Sequence, residues 1–290
     1  MRSSLTMLKV TLALAICVST ASAFTPTLMS THRRSGVLGA VCAERGEVLR
    51  PFQDRTALKI ISGLNNFNKQ SVSSVVQAAN AGGATLVDIA CDAELVRLAK
   101  SLGPVPVCVS AVDPELFVGA VKAGADMVEI GNYDAFYLEG RVFSAEEVLA
   151  LTVETRALLG STIPLSVTVP HTLPLDEQVE LAMKLELAGA DVIQTEGGMP
   201  MKPSAAGIQG LIEKAAPTLA ATAAISNAVQ IPTMAASGIS AVTAPLALAS
   251  GAAGVGVGSA VNKLNSEVAM LAAVRQVQEA MAKELARVKA

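Results

Sequence analysis

Eight short aliphatic runs, each bounded by Gly or Pro and followed by a stretch of helical periodicity, are spread along residues 52–290. Four of them follow a Gly-Ala pair: Gly83-Ala84-Thr85-Leu86-Val87-Asp88-Ile89, Gly124-Ala125-Asp126-Met127-Val128-Glu129-Ile130, Gly189-Ala190-Asp191-Val192-Ile193-Gln194-Thr195 and Gly251-Ala252-Ala253-Gly254-Val255-Gly256-Val257. Three alternate with these and begin with an aliphatic residue and Pro: Val105-Pro106-Val107-Cys108-Val109-Ser110, Ile163-Pro164-Leu165-Ser166-Val167-Thr168 and Ile231-Pro232-Thr233-Met234-Ala235-Ala236. Leu58-Lys59-Ile60-Ile61-Ser62 precedes them all. Runs this short are strands rather than helices. The intervening periodicity predicts helices at 71–81, 93–102, 114–123, 144–159, 175–188, 218–229, 240–250 and 266–289. Regular strand-helix alternation implies a parallel sheet with right-handed crossovers. A single (β/α)8 TIM barrel fits the eight units and the chain length, with an open doubly wound sheet as the competitor.

Alternation along each strand sorts side chains by face. The aliphatic face of the Gly-Ala strands should meet the helices. The other face then sends Asp88, Glu129, Gln194 and Glu196 inward, with Lys59 from the first strand, Ser110 from the third, and Ser166 and Thr168 from the fifth. Buried charges are paired or functional. One reading is a structural ion pair of Lys59 with Asp88 or Glu129. The other is acid/base chemistry by Lys59, Asp88, Glu129 and Glu196, with a Schiff base on a desolvated Lys59 as an extension. His171 follows the fifth strand at the same rim, as a solvated loop residue or a catalytic one, and Asn132 follows the fourth. A magnesium ion held by Glu129 and Glu196 is a weaker alternative. With His32 far away in the leader, no His cluster for zinc is present.

The ends of strands seven and eight suggest a phosphate cradle. Ser237, Gly238, Ile239 and Ser240 close one strand; Gly256, Gly258 and Ser259 close the other. Glycines permit close backbone approach, and this pair of loops is the frequent phosphate site of barrels. Tight turns without a ligand are the competing reading. Two further loops stand out. Residues 132–143 carry Tyr133, Phe136, Tyr137 and Phe143, as a flap or as a loop packed on the rim. Residues 197–207 include Lys202 and read as a lid.

Composition narrows the classes. The chain is 51% hydrophobic and 16% charged with net charge −3, which excludes disorder and gives no electrostatic footprint for nucleic acid. From 215 to 262 there is no Asp, Glu, Lys, Arg or His. Outer barrel helices normally show water a charged face, so this stretch suggests a homo-oligomer with those helices covered.

The first 45 residues read as an address. Arg2 and Lys9 flank the start, 10–18 is apolar, and Ala21-Ser22-Ala23 supplies small residues at a cleavage site, so 1–23 reads as a signal peptide too short to span a bilayer. Residues 24–45 are basic, hydroxyl-rich and without acid until Glu44. With Phe24 at the junction, the pair resembles the bipartite plastid presequence of algae. That resemblance implies a stromal barrel of residues 46–290 with no membrane association once mature.

The body itself resembles a known family. Lys59-Ile60-Ile61-Ser62-Gly63-Leu64-Asn65-Asn66-Phe67, Val87-Asp88-Ile89-Ala90, Glu129-Ile130-Gly131-Asn132, Ser166-Val167-Thr168-Val169-Pro170-His171-Thr172 and Gln194-Thr195-Glu196-Gly197 are similar to motifs of the hypothetical chloroplast reading frame twenty-three family of cyanobacteria and algal plastids. The resemblance implies a TIM barrel and a plastid setting, and carries no catalytic assignment. The expectation from the residues is a barrel that binds a small phosphorylated metabolite and performs lyase, isomerase or synthase chemistry. The alternatives are FMN in the same cradle, or a non-catalytic sensor or assembly protein.

Overall fold

In the computed structural model, which describes residues 43–137, 139–197 and 203–289, all eight aliphatic runs are strands. They are β1 (Ala57–Ile61), β2 (Leu86–Ala90), β3 (Val107–Ala111), β4 (Met127–Ile130), β5 (Leu165–Val169), β6 (Val192–Thr195), β7 (Thr233–Ala236) and β8 (Gly254–Val257). Each pairs in parallel with its chain neighbour, and β8 returns to β1 with Gly256 opposite Lys59. The sheet is closed, not open. Val87, Ile89, Val128, Ile130, Ile193, Val255 and Val257 join the core shared with the helices, as alternation predicts. Thr195 marks the same outward face, its hydroxyl 3.0 Å from that of Thr222.

The recurring Gly-Ala pair is a helix ending. Gly83, Gly124, Gly189 and Gly251 all have φ between 83° and 110°, a left-handed backbone that glycine adopts without strain. The next residue donates five positions back in every case: Ala84 to Ala79, Ala125 to Ala120, Ala190 to Leu185 and Ala252 to Ala247. This is the Schellman motif, which satisfies the last helical carbonyls and turns the chain into the strand. The helices concerned are α2 (Lys69–Gly82), α4 (Pro114–Lys122), α7 (Leu175–Leu187) and α9 (Ala244–Ala249). The residue after the pair ties the strand to its predecessor. Thr85 accepts from the Leu58 N–H at 2.8 Å, Asp126 from Val107 at 2.7 Å, and Asp191 from Leu165 at 2.9 Å. In the fourth copy Ala253 stands there, without an acceptor.

The other long helices are α3 (Ala93–Leu102), α6 (Ala145–Leu159), α8 (Gly207–Ser226) and α11 (Glu267–Lys289). Side-chain caps start three helices after strands: Asn68 for α2, Asp92 for α3 and Asp113 for α4. Two expected boundaries fail. The helix expected at 218–229 begins at Gly207, because Pro217 sits inside α8 rather than at its start. The helix expected at 240–250 shortens to α9, since Thr243 Oγ1 takes the Ser240 N–H at 2.9 Å and holds 240–243 as a turn. Three helices were not expected: α1 (Arg45–Gln53), α5 (Asp134–Tyr137) and α10 (Ser259–Asn262). In the uncharged stretch, Thr218, Ala221, Thr222 and Ile225 of α8 and Ala244, Ala247 and Leu248 of α9 are buried. The large apolar side chains it exposes are Val242 and Leu246. Among the described residues no helix is long and apolar enough to cross a membrane.

Helix α1 plugs the amino-terminal mouth. Val48, Leu49 and Phe52 pack with Ala57, Leu86, Cys108, Met127, Val192 and Met234. Ala43 N–H donates to Asp126 at 2.6 Å, and Arg45 pairs with Asp191. The same aspartates that fasten the strands thus fasten the plug.

The helix endings give a paired test. Gly83→Ala forces a Cβ into left-handed backbone where its nearest atom is 4.0 Å away, so strain alone should lower the unfolding free energy by about 1 kcal/mol. Gly119→Ala, inside α4 with no atom within 4 Å, should raise it by roughly 0.5–1 kcal/mol. Urea denaturation midpoints should move in opposite directions.

Candidate active site

Strand alternation puts six polar side chains into the carboxyl-end half of the barrel, and they form one network. Lys59 of β1 pairs with Glu129 of β4, at 1% and 0% exposure. Glu129 Oε1 accepts from Gln194 of β6 at 2.8 Å and from Asn132 at 3.3 Å, and Gln194 also donates to Thr168 of β5 at 3.0 Å. Asp88 of β2 accepts from Ser110 of β3 at 2.6 Å and from Asn132 at 2.9 Å. Asn132 is left-handed, φ 62°, just past β4. It follows Gly131, where a Cβ would lie 2.0 Å from Thr168 Oγ1, so the backbone runs hard against β5 there.

Burial pushes the Asp88 carboxyl up to about 7, helped by the Glu129 charge and opposed by Lys59, Ser110 and Asn132. Burial pulls Lys59 down, but Glu129 and Asp88 beside it outweigh that, and its pKa stands above the ordinary lysine value. The ammonium is thus committed to Glu129, which matches the ion-pair reading of Lys59 rather than a free amine for a Schiff base. The magnesium reading also loses a ligand, because Glu129 spends one oxygen on Lys59 and the other on Gln194 and Asn132.

Glu196 and His171 belong to a second cluster. Glu196, 5% exposed, accepts on Oε2 from the Tyr137 hydroxyl at 2.9 Å and faces His171 Nδ1 at 3.0 Å. The Tyr137 and His171 rings meet edge to face, 4.7 Å between centroids. Asp134 joins them: one ligating atom from each of Asp134, His171 and Glu196 lies within 4.8 Å of the others. Burial, with the Glu196 charge behind it, raises Asp134 to about 6. Sequence reasoning missed Asp134 and saw Tyr137 only as part of an aromatic loop. That loop packs on the rim: Tyr133 stacks on Phe143 at 4.4 Å, both buried, with Arg141 4.3 Å from the Phe143 ring centre. Within the expected lid, Lys202 lies outside the described residues.

A cavity of about 750 Å³ opens beside these clusters, lined by Ile61, Gly63, Asn132, Asp134, Lys214, Ser237, Gly238, Ile239, Gly258, Ser259 and Lys263 among others. A smaller hollow of about 220 Å³ shares Lys214, Gly238, Ile239, Ser259 and Lys263, and adds Ser240. Gly238 has φ 72° and a Cβ there would sit 2.5 Å from the Lys214 carbonyl, so the loop after β7 lies tight on α8. Thr218 clamps it by donating to the carbonyls of Ala236 and Ser237. The N–H groups of Gly238 and Ile239 have no backbone partner among the described residues. Gly256 sits deeper, facing Ala236, Ile61 and Gln194 inside the barrel rather than the cavity wall. Lys214 and Lys263 were not singled out from sequence, though they bracket the uncharged stretch. Lys59, Asp88 and Glu129 do not reach the cavity; Ile61 and Asn132 form its floor over them.

Solved structures resemble this barrel at low sequence identity. Thiamine phosphate pyrophosphorylase from Pyrococcus furiosus aligns with TM-score 0.52 and 18% identity over 80% of this chain and 98% of that one. (S)-3-O-Geranylgeranylglyceryl phosphate synthase from Thermoplasma acidophilum, in complex with sn-glycerol-1-phosphate, gives 0.54 and 14% over 82% and 98%. A 3-hexulose-6-phosphate synthase gives 0.54 and 17% over 77% and 99%. Likeness at this level shows the fold alone. Sequence relatives are closer. The uncharacterized protein ycf23 of Cyanophora paradoxa is 44% identical over 227 residues, 78% of this chain and 93% of its own. That of Pyropia yezoensis is 40% identical over 230 residues, 79% and 84%. Residues 44–287 match the family described as "Protein of unknown function (DUF561)". With nearly the whole described barrel inside that match, the chain belongs to the DUF561 family and, within it, beside the ycf23 proteins of algal plastids.

Proposed function

We propose that this barrel binds a small phosphorylated metabolite in the carboxyl-end cavity and moves a proton on it, in a reaction of the lyase, isomerase or synthase kind. One observation carries the reading: Lys214 and Lys263 converge on the loops after β7 and β8, where the N–H groups of Gly238 and Ile239 lack a backbone partner. Cations and donors aimed at one point favour an anion. Asp134 is the single acidic residue lining the large cavity, and none lines the hollow between the lysines. The three solved barrels above are named for phosphate-bearing molecules, which agrees with this choice of ligand.

The groups placed for proton transfer stand beside the cavity, next to Asp134, which lines it. Donation from His171 Nδ1 to Glu196 leaves Nε2 as the basic nitrogen, and Tyr137 fixes the Glu196 oxygen that holds it. Lys59, Asp88 and Glu129 act from beneath the floor, setting the field at Asn132, whose amide touches both carboxylates and the cavity. The working location is the plastid stroma, reached through the address in 1–45; residues 1–42 lie outside the described residues. A second reading, a sensor that binds without turnover, is favoured by the closure of that lower network from the cavity.

Gly258→Asp tests the cradle cleanly. Its φ is −100° and an added Cβ would find nothing nearer than 3.8 Å, so the fold should stand while a carboxylate enters the cavity. Calorimetry with a panel of sugar and triose phosphates should show binding to the native chain and at least a ~10-fold loss in the variant, about 1.4 kcal/mol; equal binding in both refutes the assignment. Deuterium exchange into the bound ligand, lost in His171→Gln with affinity kept, marks an enzyme; binding without exchange in either protein marks a sensor. Asp88 predicts a pH signature. Its folded pKa is raised, so the native state binds more protons than the unfolded chain between about pH 4 and 7, and stability should fall across that window as pH rises. Asp88→Asn should flatten that slope in urea titrations.

A further inference from the structure

We propose that Asp134, His171 and Glu196 form a divalent transition-metal site at the edge of the cavity, which Asp134 lines, of the kind that takes Mn²⁺ or Zn²⁺. The three residues come from three different connections, after β4, β5 and β6, so no helical repeat or shared loop brings them together by default. Their ligating atoms lie within 4.8 Å of one another. Metal bonds of about 2.1 Å place adjacent donors roughly 3 Å apart and opposite donors roughly 4.2 Å apart, so a pair at the outer limit closes by roughly 0.6 Å to become opposite donors and roughly 1.8 Å to become adjacent ones.

A second observation points the same way. Asp134 Oδ1 is shut off from solvent and has no hydrogen-bond partner among the described residues. Ser166 Oγ, Gln194 Oε1 and Thr233 Oγ1 share this state among the described residues; Asp134 is the one carboxyl group of the four, for which an ion is a recognised partner. The supports that metal ligands ordinarily have are also present. Tyr137 donates to Glu196 Oε2, and its ring holds the His171 imidazole edge-on. One imidazole and two carboxylates suit a borderline first-row cation better than calcium, which prefers an all-oxygen shell. Asp134 lines the same cavity as Lys214, so the open positions of the ion would face the space between the wall and the phosphate cradle. An ion there would polarise a carbonyl or hydroxyl oxygen of the bound molecule. The inference stands independently of the phosphate cradle, and with an ion bound His171 serves as a ligand in place of the base role given to it above.

The test uses Mn²⁺ alone, on full-length protein stripped with chelator and without phosphate. Calorimetry and electron paramagnetic resonance should report one ion per chain. Asp134→Asn and His171→Gln should each weaken it at least ~10-fold, and Tyr137→Phe should weaken it about as much by freeing Glu196. Near-ultraviolet circular dichroism checks that each variant keeps its packing. Absence of saturable Mn²⁺ or Zn²⁺ binding to the native chain, or binding unchanged in folded Asp134→Asn and His171→Gln, overturns the proposal. Because no phosphate ester is present, either result leaves the Gly258→Asp experiment to be judged by itself.

Discussion

A fully buried ion pair sits at the centre of this barrel, Lys59 on β1 against Glu129 on β4. Removing two charges from solvent is costly, and attraction offsets the loss only when every remaining lone pair is also satisfied. Much of the interior follows from that demand. Gln194 donates to the free oxygen of Glu129 and to Thr168, while its own Oε1 has no partner among the described residues. Asn132 takes a left-handed backbone so that one amide can reach Glu129, Asp88 and Ser110 at once. Asp88, a third carboxyl group in the same dry space, has a proton affinity high enough to be kept near neutrality. The pair also holds the Lys59 ammonium in place.

The two ends of the barrel divide the labour. At the amino end, Asp126 and Asp191 hold the starts of neighbouring strands, Lys100 and Arg156 neutralise them, and α1 closes the mouth. At the carboxyl end the loops carry lysines, an imidazole, carboxylates and free N–H groups around a cavity. Barrels commonly keep stability below and chemistry above. Here the Gly-Ala-Asp repeat is the signature of the lower end, and its acidic residue belongs to structure, not to the site.

Much of this was legible in the sequence, for physical reasons that also explain what was not. Strands declared themselves because buried β-branched runs of four or five residues have no other stable use between Gly and Pro, and strict alternation then placed Lys59, Asp88, Glu129 and Gln194 on one face. Pairing was undetermined: alternation names a face, while the Lys59–Glu129 contact depends on how the ring staggers across four strands. Helix α8 was misplaced because Pro217 reads as a start when its neighbours are all small and uncharged. Helix α1 was invisible because its apolar residues cover a barrel mouth that exists only after closure. Asp134, Lys214 and Lys263 were missed for a common reason. Their directions are set by tertiary packing: Asp134 and Lys263 lie at the ends of one-turn helices, and Lys214 lies inside α8, whose start at Gly207 was not read from the sequence.

The plug at the amino end also limits how far the chain can be shortened. Ala43 and Arg45 are moored to the aspartates that anchor β4 and β6, so removing residues beyond 42 would begin to unmoor the barrel's own floor. The shortest stable barrel is thereby written into the architecture.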